Sequence, residues 1–422
     1  MTLLIVAIVL CFLMTWGVGA NDLANVMSTT MGSKAVRVRT AILIAIFFEF
    51  AGAFLGGSDV VETMKDGIID TQLLAHDPEI LILGMLSVLT ACTIWMNLAS
   101  YFGVPVSITN ALVGAMVGFG SLSLGSHAVH WTQVRHIAIG WISSPLIAGI
   151  TSFALFTSIQ STIFVSQDPL RQAKWMMPVY LFLNGIVLAY MIILKGLNHF
   201  HIEYSMSTAT TIILGTSSFI TLIGIIIMSR LPEKILIKRR ERFNQVEKYF
   251  AVLMAMTACI MVFAHGSNDV ALATSPLNIV ISKTPLDALH FSEQTLLNIT
   301  LIFGCVGVIA GFLIYGRKVI ETVGSGITAL TPSRAFAATL AAATTVIVAN
   351  TIGIPVSATQ TLVGAVLGVG LARGIGALNL LVIRNIFMSW IVTLPAASIM
   401  SWLIFKIFIY FKPMIDHSIA KL

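Results

Sequence analysis

The sequence predicts an all-α integral membrane protein: a polytopic helical bundle with two inverted repeats and broken or re-entrant helices. Three observations carry this. Of the 422 residues, 57% are hydrophobic and only 10% charged, with a mean hydropathy of +0.95. Apolar runs long enough to cross a bilayer recur along the chain. Segments of the first half return, in the same order, in the second.

Soluble domains are about 25% charged, so a water-soluble chain of this length would lack the charge to cover its surface. A helix rises about 1.5 Å per residue, and roughly 20 apolar residues span the hydrocarbon layer. Runs of that order lie at approximately 2–20, 38–57, 79–101, 134–158, 175–195, 208–228, 249–264, 296–316, 335–350 and 382–411. Two shorter ones, 110–124 and 361–372, cannot cross alone as straight helices. Such pieces survive only where protein or a cavity satisfies their backbone. The first run lacks a basic leader and a small-residue cleavage site, so it reads as a retained span.

The net charge of +6 does not point to nucleic acid, because Lys and Arg collect at the ends of the runs, as topology signals do. The stretch 230–248 holds Arg230, Lys234, Lys238, Arg239, Arg240, Arg242 and Lys248 against three glutamates and should face the cytoplasm, as should Lys34, Arg37 and Arg39. The loop 58–79 carries six acids against Lys65 alone and should face outward with the N-terminus. Cys11, Cys92, Cys259 and Cys305 lie in apolar runs without zinc-ligand spacing and read as small packing residues. No cofactor is expected.

Residues 101–120 (YFGVPVSITNALVGAMVGFG) and 351–370 (TIGIPVSATQTLVGAVLGVG) agree at eleven of twenty positions, offset by 250. GANDLAN at 19–25 pairs with GSNDVAL at 266–272, and RHIAIGWISSP from Arg135 pairs with RNIFMSWIVTLP from Arg384. The span leading to Asp22 runs towards a basic segment, and the one leading to Asp269 runs away from one, so the copies have opposite orientation. Accordingly 1–160 is read as the first inverted repeat, 161–248 as middle spans with the basic linker, and 249–422 as the second repeat. Inverted repeats of this kind mark secondary transporters, whose sites lie near the midplane where the repeats meet.

Asp22 is the only acidic or basic residue between Met1 and Ser33, and Asp269 shares the stretch between Tyr249 and Ser282 with no other acid or base but His265. An intramembrane carboxylate is costly unless paired, protonated or bound to a cation. Beside Asn21 and Asn268, the two acids suit a hard cation, Na+ in a sodium-coupled protein, or a proton. Each charge-free stretch exceeds one straight crossing, which fits a break near the Asn-Asp pair. Pro105 and Pro355 end any preceding helix, placing Ser107 and Ser357 at N-cap positions of the short helices that follow. Free N–H groups and the positive dipole end there favour an anion, aided by Thr109, Thr359, Asn110 and Gln360. Gly114, Gly118, Gly364 and Gly368 are spaced for close helix packing. Glu49 is a third intramembrane acid, able to pair with a coupling ion or a polar group of the other repeat. His265 reads more simply as a packed neutral imidazole than as a proton carrier.

GANDLAN with Gly32–Lys34, AHGSNDVA, both PVS-x-T segments, WISSP and WIVTLP together resemble the inorganic phosphate transporter family, across both halves of the chain. The resemblance implies phosphate uptake with Na+ or H+, a bundle of about twelve spans or half-spans, and a homodimer in the bilayer. It assigns Asn21, Asp22, Asn268 and Asp269 to cation and phosphate sites and Ser107, Thr109, Ser357 and Thr359 to the anion, and it likens Glu49 to an important acid of relatives. Asn110 and Gln360 stand where many members have His, and Thr339 is expected where many have a second Glu. The segment SDVVETMKDGII resembles sodium-coupled members. A sulfate permease of the same family is the nearest alternative and a passive anion channel the next. An enzyme is disfavoured for want of a metal cluster, a nucleophile–base pair or a nucleotide motif.

Overall fold

The computed structural model describes residues 2–74, 77–199, 202, 204–230, 239–284, 292–352 and 354–419. Its helices are α1 (Thr2–Val18), α2 (Ala24–Gly32), α3 (Val38–Gly67), α4 (Pro78–Phe102), α5 (Ile108–Phe119), α6 (Trp131–Ile159), α7 (Pro169–His199), α8 (Met206–Ser229), α9 (Arg239–His265), α10 (Ala271–Lys283), α11 (Glu293–Tyr315), α12 (Arg317–Gly326), α13 (Pro332–Thr351), α14 (Ala358–Ala372) and α15 (Leu380–Ile419). Among the described residues, ten helices are long and apolar enough to cross a membrane, and 108–124 and 358–372 form the two shorter apolar pieces. Large apolar side chains point outward from them, among them Ile142 (73% exposed), Phe219 (62%) and Ile391 (67%). Backbone hydrogen bonds stay inside each helix, which is what a hydrocarbon surrounding demands.

Several helices outrun their apolar stretches. The segment 58–67, expected as part of an outward loop, continues α3. Residues 231–238 of the basic linker lie outside the described residues, and from Arg239 the chain is already helical.

At the Asn-Asp pairs the helix is widened rather than cut. Gly19–Leu23 and Gly266–Val270 each form a π turn, so α1 runs into α2 and α9 into α10 without a gap. A π turn inserts one residue while keeping the backbone bonded, and such turns favour functional sites. This is how a carboxylate enters a span without a costly unsatisfied backbone.

The short helices are held by glycine-mediated packing. A side chain at Gly114 or Gly118 would lie 2.6 or 2.2 Å from the Leu394 or Ser398 carbonyl oxygen of α15. At Gly364 and Gly368 it would lie 2.3 and 2.0 Å from those of Pro145 and Gly149 in α6. Thus α5 rests on α15 and α14 on α6, each half supporting the other's short helix.

The same contacts recur around the π turns. A side chain at Gly266 would meet the Glu49 carbonyl oxygen at 2.4 Å, and one at Gly19 that of Val308 at 1.7 Å. Gly52 abuts Phe263 as Gly311 abuts Trp16. This packing corrects the expected counterpart of Glu49: it is Val308 on α11, not Thr339 on α13. The shift between the halves is 247 at the π turns, 259 at α3 and α11, and 250 at the short helices. Connections of unequal length change it, so no single offset carries Glu49 across. Thr339 instead shares a 2.9 Å hydrogen bond with Thr29 of α2.

Candidate functional site

The α4–α5 and α13–α14 junctions each run through a proline to an N-capping serine. Gly103, at φ 68°, closes α4 in the left-handed region where a Cβ is strained. The chain then runs extended through Pro105 to Ser107, whose hydroxyl accepts the Asn110 N–H at 3.3 Å. Ser357 likewise accepts the Gln360 N–H at 3.1 Å. Both serines are N-caps, each worth about 1 kcal/mol to its helix.

The π turn at Gly19–Leu23 grips the first junction. Asn21 accepts the Val106 N–H at 2.9 Å and donates to the Val104 carbonyl at 3.0 Å and to Ser100 Oγ at 3.3 Å. One residue on, Asp22 Oδ2 accepts the Ile108 N–H at 3.2 Å, at the opening turn of α5. Its other oxygen accepts a hydrogen bond from the Thr359 hydroxyl of α14. A single carboxylate thereby joins the N-termini of both short helices.

The second π turn is more open. Asn268 Nδ2 donates to the Val356 carbonyl at 3.0 Å and to Asp269 Oδ1 at 2.9 Å. Thr109 reaches that same Val356 carbonyl at 3.5 Å. Among the described residues, no carboxylate takes the Ala358 N–H as Asp22 takes that of Ile108. Asn268 Oδ1, Asn110 Oδ1 and Gln360 Oε1 are buried with no hydrogen-bond partner among the described residues, and Asp269 Oδ2 has only the His265 ring, at 3.4 Å. Leaving a buried polar atom unsatisfied costs about 1–3 kcal/mol. Asn110 and Gln360 stand in the first turns of α5 and α14, and Asn268 bonds the segment that leads into α14.

All eleven candidate residues are buried, none more than 3% exposed. Asn21, Asp22, Thr109, Asn268 and Thr359 are brought together directly, with Ser107 and Ser357 capping the helices they touch. Glu49 sits on the Asp269 side: His265 Nδ1 lies 2.7 Å from Glu49 Oε1, and Nε2 lies 3.4 Å from Asp269 Oδ2. His265, expected as a packed imidazole, stands between two acids. Apolar surroundings would have left it idle, but α3 delivers a carboxylate from 216 positions away in the sequence. Sequence reasoning also missed Asn25 and Ser28, one and two turns beyond Asp22 on α2, buried with unpartnered polar atoms among the described residues. Their helical spacing from Asp22 was the available signal.

Comparison with known proteins agrees with this architecture. The sequence profile described as the phosphate transporter family matches residues 18–401. A Haemophilus influenzae protein named "Putative phosphate permease" is 44% identical over 399 residues, 94% of each chain. The Arabidopsis thaliana "Inorganic phosphate transporter 2-1, chloroplastic" is 35% identical over 428 residues, covering 94% of this chain and 71% of its own. A solved structure titled "The sodium-dependent phosphate transporter" superposes with a TM-score of 0.85 at 33% identity, covering 96% of this chain and 99% of its own. From residue 18 to residue 401, then, the sequence carries the family's pattern, and the chain belongs to the phosphate transporter family.

Proposed function

We propose that this chain is a secondary active symporter carrying inorganic phosphate with Na+ across the cytoplasmic membrane. Phosphate transport is the activity of the family and of the relatives' names. The observation that carries the coupling is that Asn268 Oδ1, next in sequence to Asp269, and Asn110 Oδ1 and Gln360 Oε1, in the first turns of the two short helices, are buried acceptors without a donor among the described residues. Oxygens with no donor suit a hard cation, and carboxylate, amide and carbonyl oxygens are the donors such a cation prefers. The solved neighbour's title, which calls it sodium-dependent, lends further support.

In this reading Asp22, Asp269 and the Asn268 oxygen hold the cation, and Asn21, Ser107, Thr109, Asn110, Ser357, Thr359 and Gln360 shape the anion's pocket. Hydroxyls and backbone N–H groups bind phosphate without a bidentate arginine clamp, so the ion can leave again. Bound Na+ offsets the repulsion between phosphate and Asp22, which makes binding of the two ions interdependent. Burial on every side fits an occluded state, opened to either face as one half of the bundle moves against the other. The repeats at 1–160 and 249–422, a homodimer, an outward N-terminus and a cytoplasmic 230–248 segment belong to the same proposal. The charge asymmetry of the connections supports the orientation.

A proton as coupling ion is the second reading, favoured by the Glu49–His265–Asp269 chain. The deciding experiment is labelled phosphate uptake into proteoliposomes with sodium and pH gradients imposed independently and sulfate as competitor. An inward sodium gradient at equal pH should drive accumulation. Uptake driven by pH alone would favour the proton, and equal uptake of sulfate would remove phosphate selectivity.

A further inference from the structure

At the end of the bundle where α2 leads into α3 and α11 into α12, a cleft of about 510 Å³ opens. That volume falls in the range of about 300–1,000 Å³ typical of small-molecule sites. Two cations stand at it, Lys34 and Arg317, over an apolar wall that includes Val38, Ile42, Phe312 and Leu313. Val38 and Leu313 are 56% and 49% exposed on spanning helices, so the wall continues into the lipid-facing surface.

Lys34 holds a left-handed backbone, φ 55°, the one non-glycine residue so placed among the described residues. Glycine or asparagine would take that position with less strain, and a strained backbone invites a search for its role. The Lys34 N–H donates to the Met31 carbonyl at 3.1 Å, and its side chain stands at the cleft. Arg317 Nε donates to Glu321, the one acid of the cleft, at 2.8 Å, and the rest of its guanidinium is solvent-facing. The helices next to the two cations are held together, because a side chain at Gly32 would lie 2.4 Å from the Gly324 carbonyl oxygen and α2 therefore rests directly on α12.

We propose that this cleft binds an anionic glycerophospholipid, its phosphate between Lys34 and Arg317 and an acyl chain along Val38, Ile42 and Leu313. Paired cations at the ends of spans, above an apolar furrow, match such a headgroup. A free phosphate ion would use the cations but leave the apolar wall bare, so the lipid is the occupant that accounts for both. The lipid would also steady the candidate site. Lys318 donates to the Tyr101 carbonyl at 2.9 Å and Thr322 to the Gly103 carbonyl at 2.8 Å. Helix α12 thus fastens the turn that precedes Val104, the residue Asn21 grips.

The test is native mass spectrometry of purified full-length protein, titrated with palmitoyl-oleoyl phosphatidylglycerol or with phosphatidylcholine of the same chains. Wild type should retain phosphatidylglycerol selectively, and millimolar inorganic phosphate should not displace it. Lys34→Gln/Arg317→Gln should bind it about 30-fold more weakly, two cations near the surface contributing about 1 kcal/mol each. Lys34→Arg should retain it, and Arg39→Gln, outside the cleft, should match wild type. Undiminished binding by the double variant, equal retention of phosphatidylcholine, or displacement by free phosphate would each overturn the assignment.

Discussion

The hydroxyl of Thr359 donates to the carboxylate of Asp22, a residue 337 positions away in the sequence. Asp22 also accepts the Ile108 N–H, so one acid from the first π turn ties together the starts of α5 and α14. A charge in the bilayer centre costs about 3 kcal/mol or more when it finds no partner. Here it finds the two electropositive helix ends of the molecule's centre, and whatever ions bind there must rearrange these bonds.

Asp22→Asn should abolish sodium-coupled phosphate uptake while the protein still purifies as a folded species. Asparagine keeps one acceptor oxygen, so one of the two charge-assisted bonds, worth about 1.5–3 kcal/mol, is lost and the other weakened. Proteoliposome uptake together with thermal unfolding in detergent checks both parts. Normal coupled transport by Asp22→Asn and Asp269→Asn alike would remove the cation role.

At position 359 the hydroxyl matters more than the methyl. Thr359→Ser should keep near-normal uptake, whereas Thr359→Val should raise the half-saturating sodium concentration by about tenfold, as expected for a lost charge-assisted bond. Measured sodium dependence of uptake gives the answer. The same assay with Ser107→Ala and Ser357→Ala should show weaker phosphate affinity.

Glu49 and His265 should behave as one unit. Removing either leaves the other buried at 0% exposure beside the lipid-embedded core, and breaking a buried pair costs about 3–5 kcal/mol. The double variant Glu49→Gln/His265→Gln should be more stable than the sum of the single losses implies. A double-mutant cycle on thermal unfolding reads the coupling, and strict additivity would show that the 2.7 Å contact carries no energy.

Packing at the short helices allows a sharp contrast. Gly368→Ala puts a methyl group 2.0 Å from the Gly149 carbonyl oxygen, and overpacking of this kind costs about 1–3 kcal/mol or more. Gly215 of α8 has open space at the same position, so Gly215→Ala should be neutral or stabilise by up to about 1 kcal/mol through helix propensity. Unfolding temperatures of the two variants should move in opposite directions or differ clearly.

Much of this fold was legible in the residues. Runs of about twenty apolar positions located the spans, and Pro105-Val106-Ser107 and Pro355-Val356-Ser357 located the two short helices, because proline and N-cap serine act locally. The partners of those elements were not legible. Nothing near Asp22 in the sequence names Thr359, and nothing near His265 names Glu49, since helix packing brings them together. The counterpart of Glu49 was misplaced for a related reason: connection lengths differ between the halves, and only the contacts of Gly266 and Gly19 reveal that α11 matches α3. The π turns were foreseen as breaks, because sequence signals excess length without saying how the backbone absorbs it.

The central claim is that both helix ends and both aspartates serve one ion pocket. Arsenate, a heavy analogue of phosphate, would locate it by anomalous scattering from crystals grown with sodium. The account predicts a single arsenic peak between the N-termini of α5 and α14, lost in Ser107→Ala/Ser357→Ala. A peak elsewhere, unaffected by those substitutions, would contradict it.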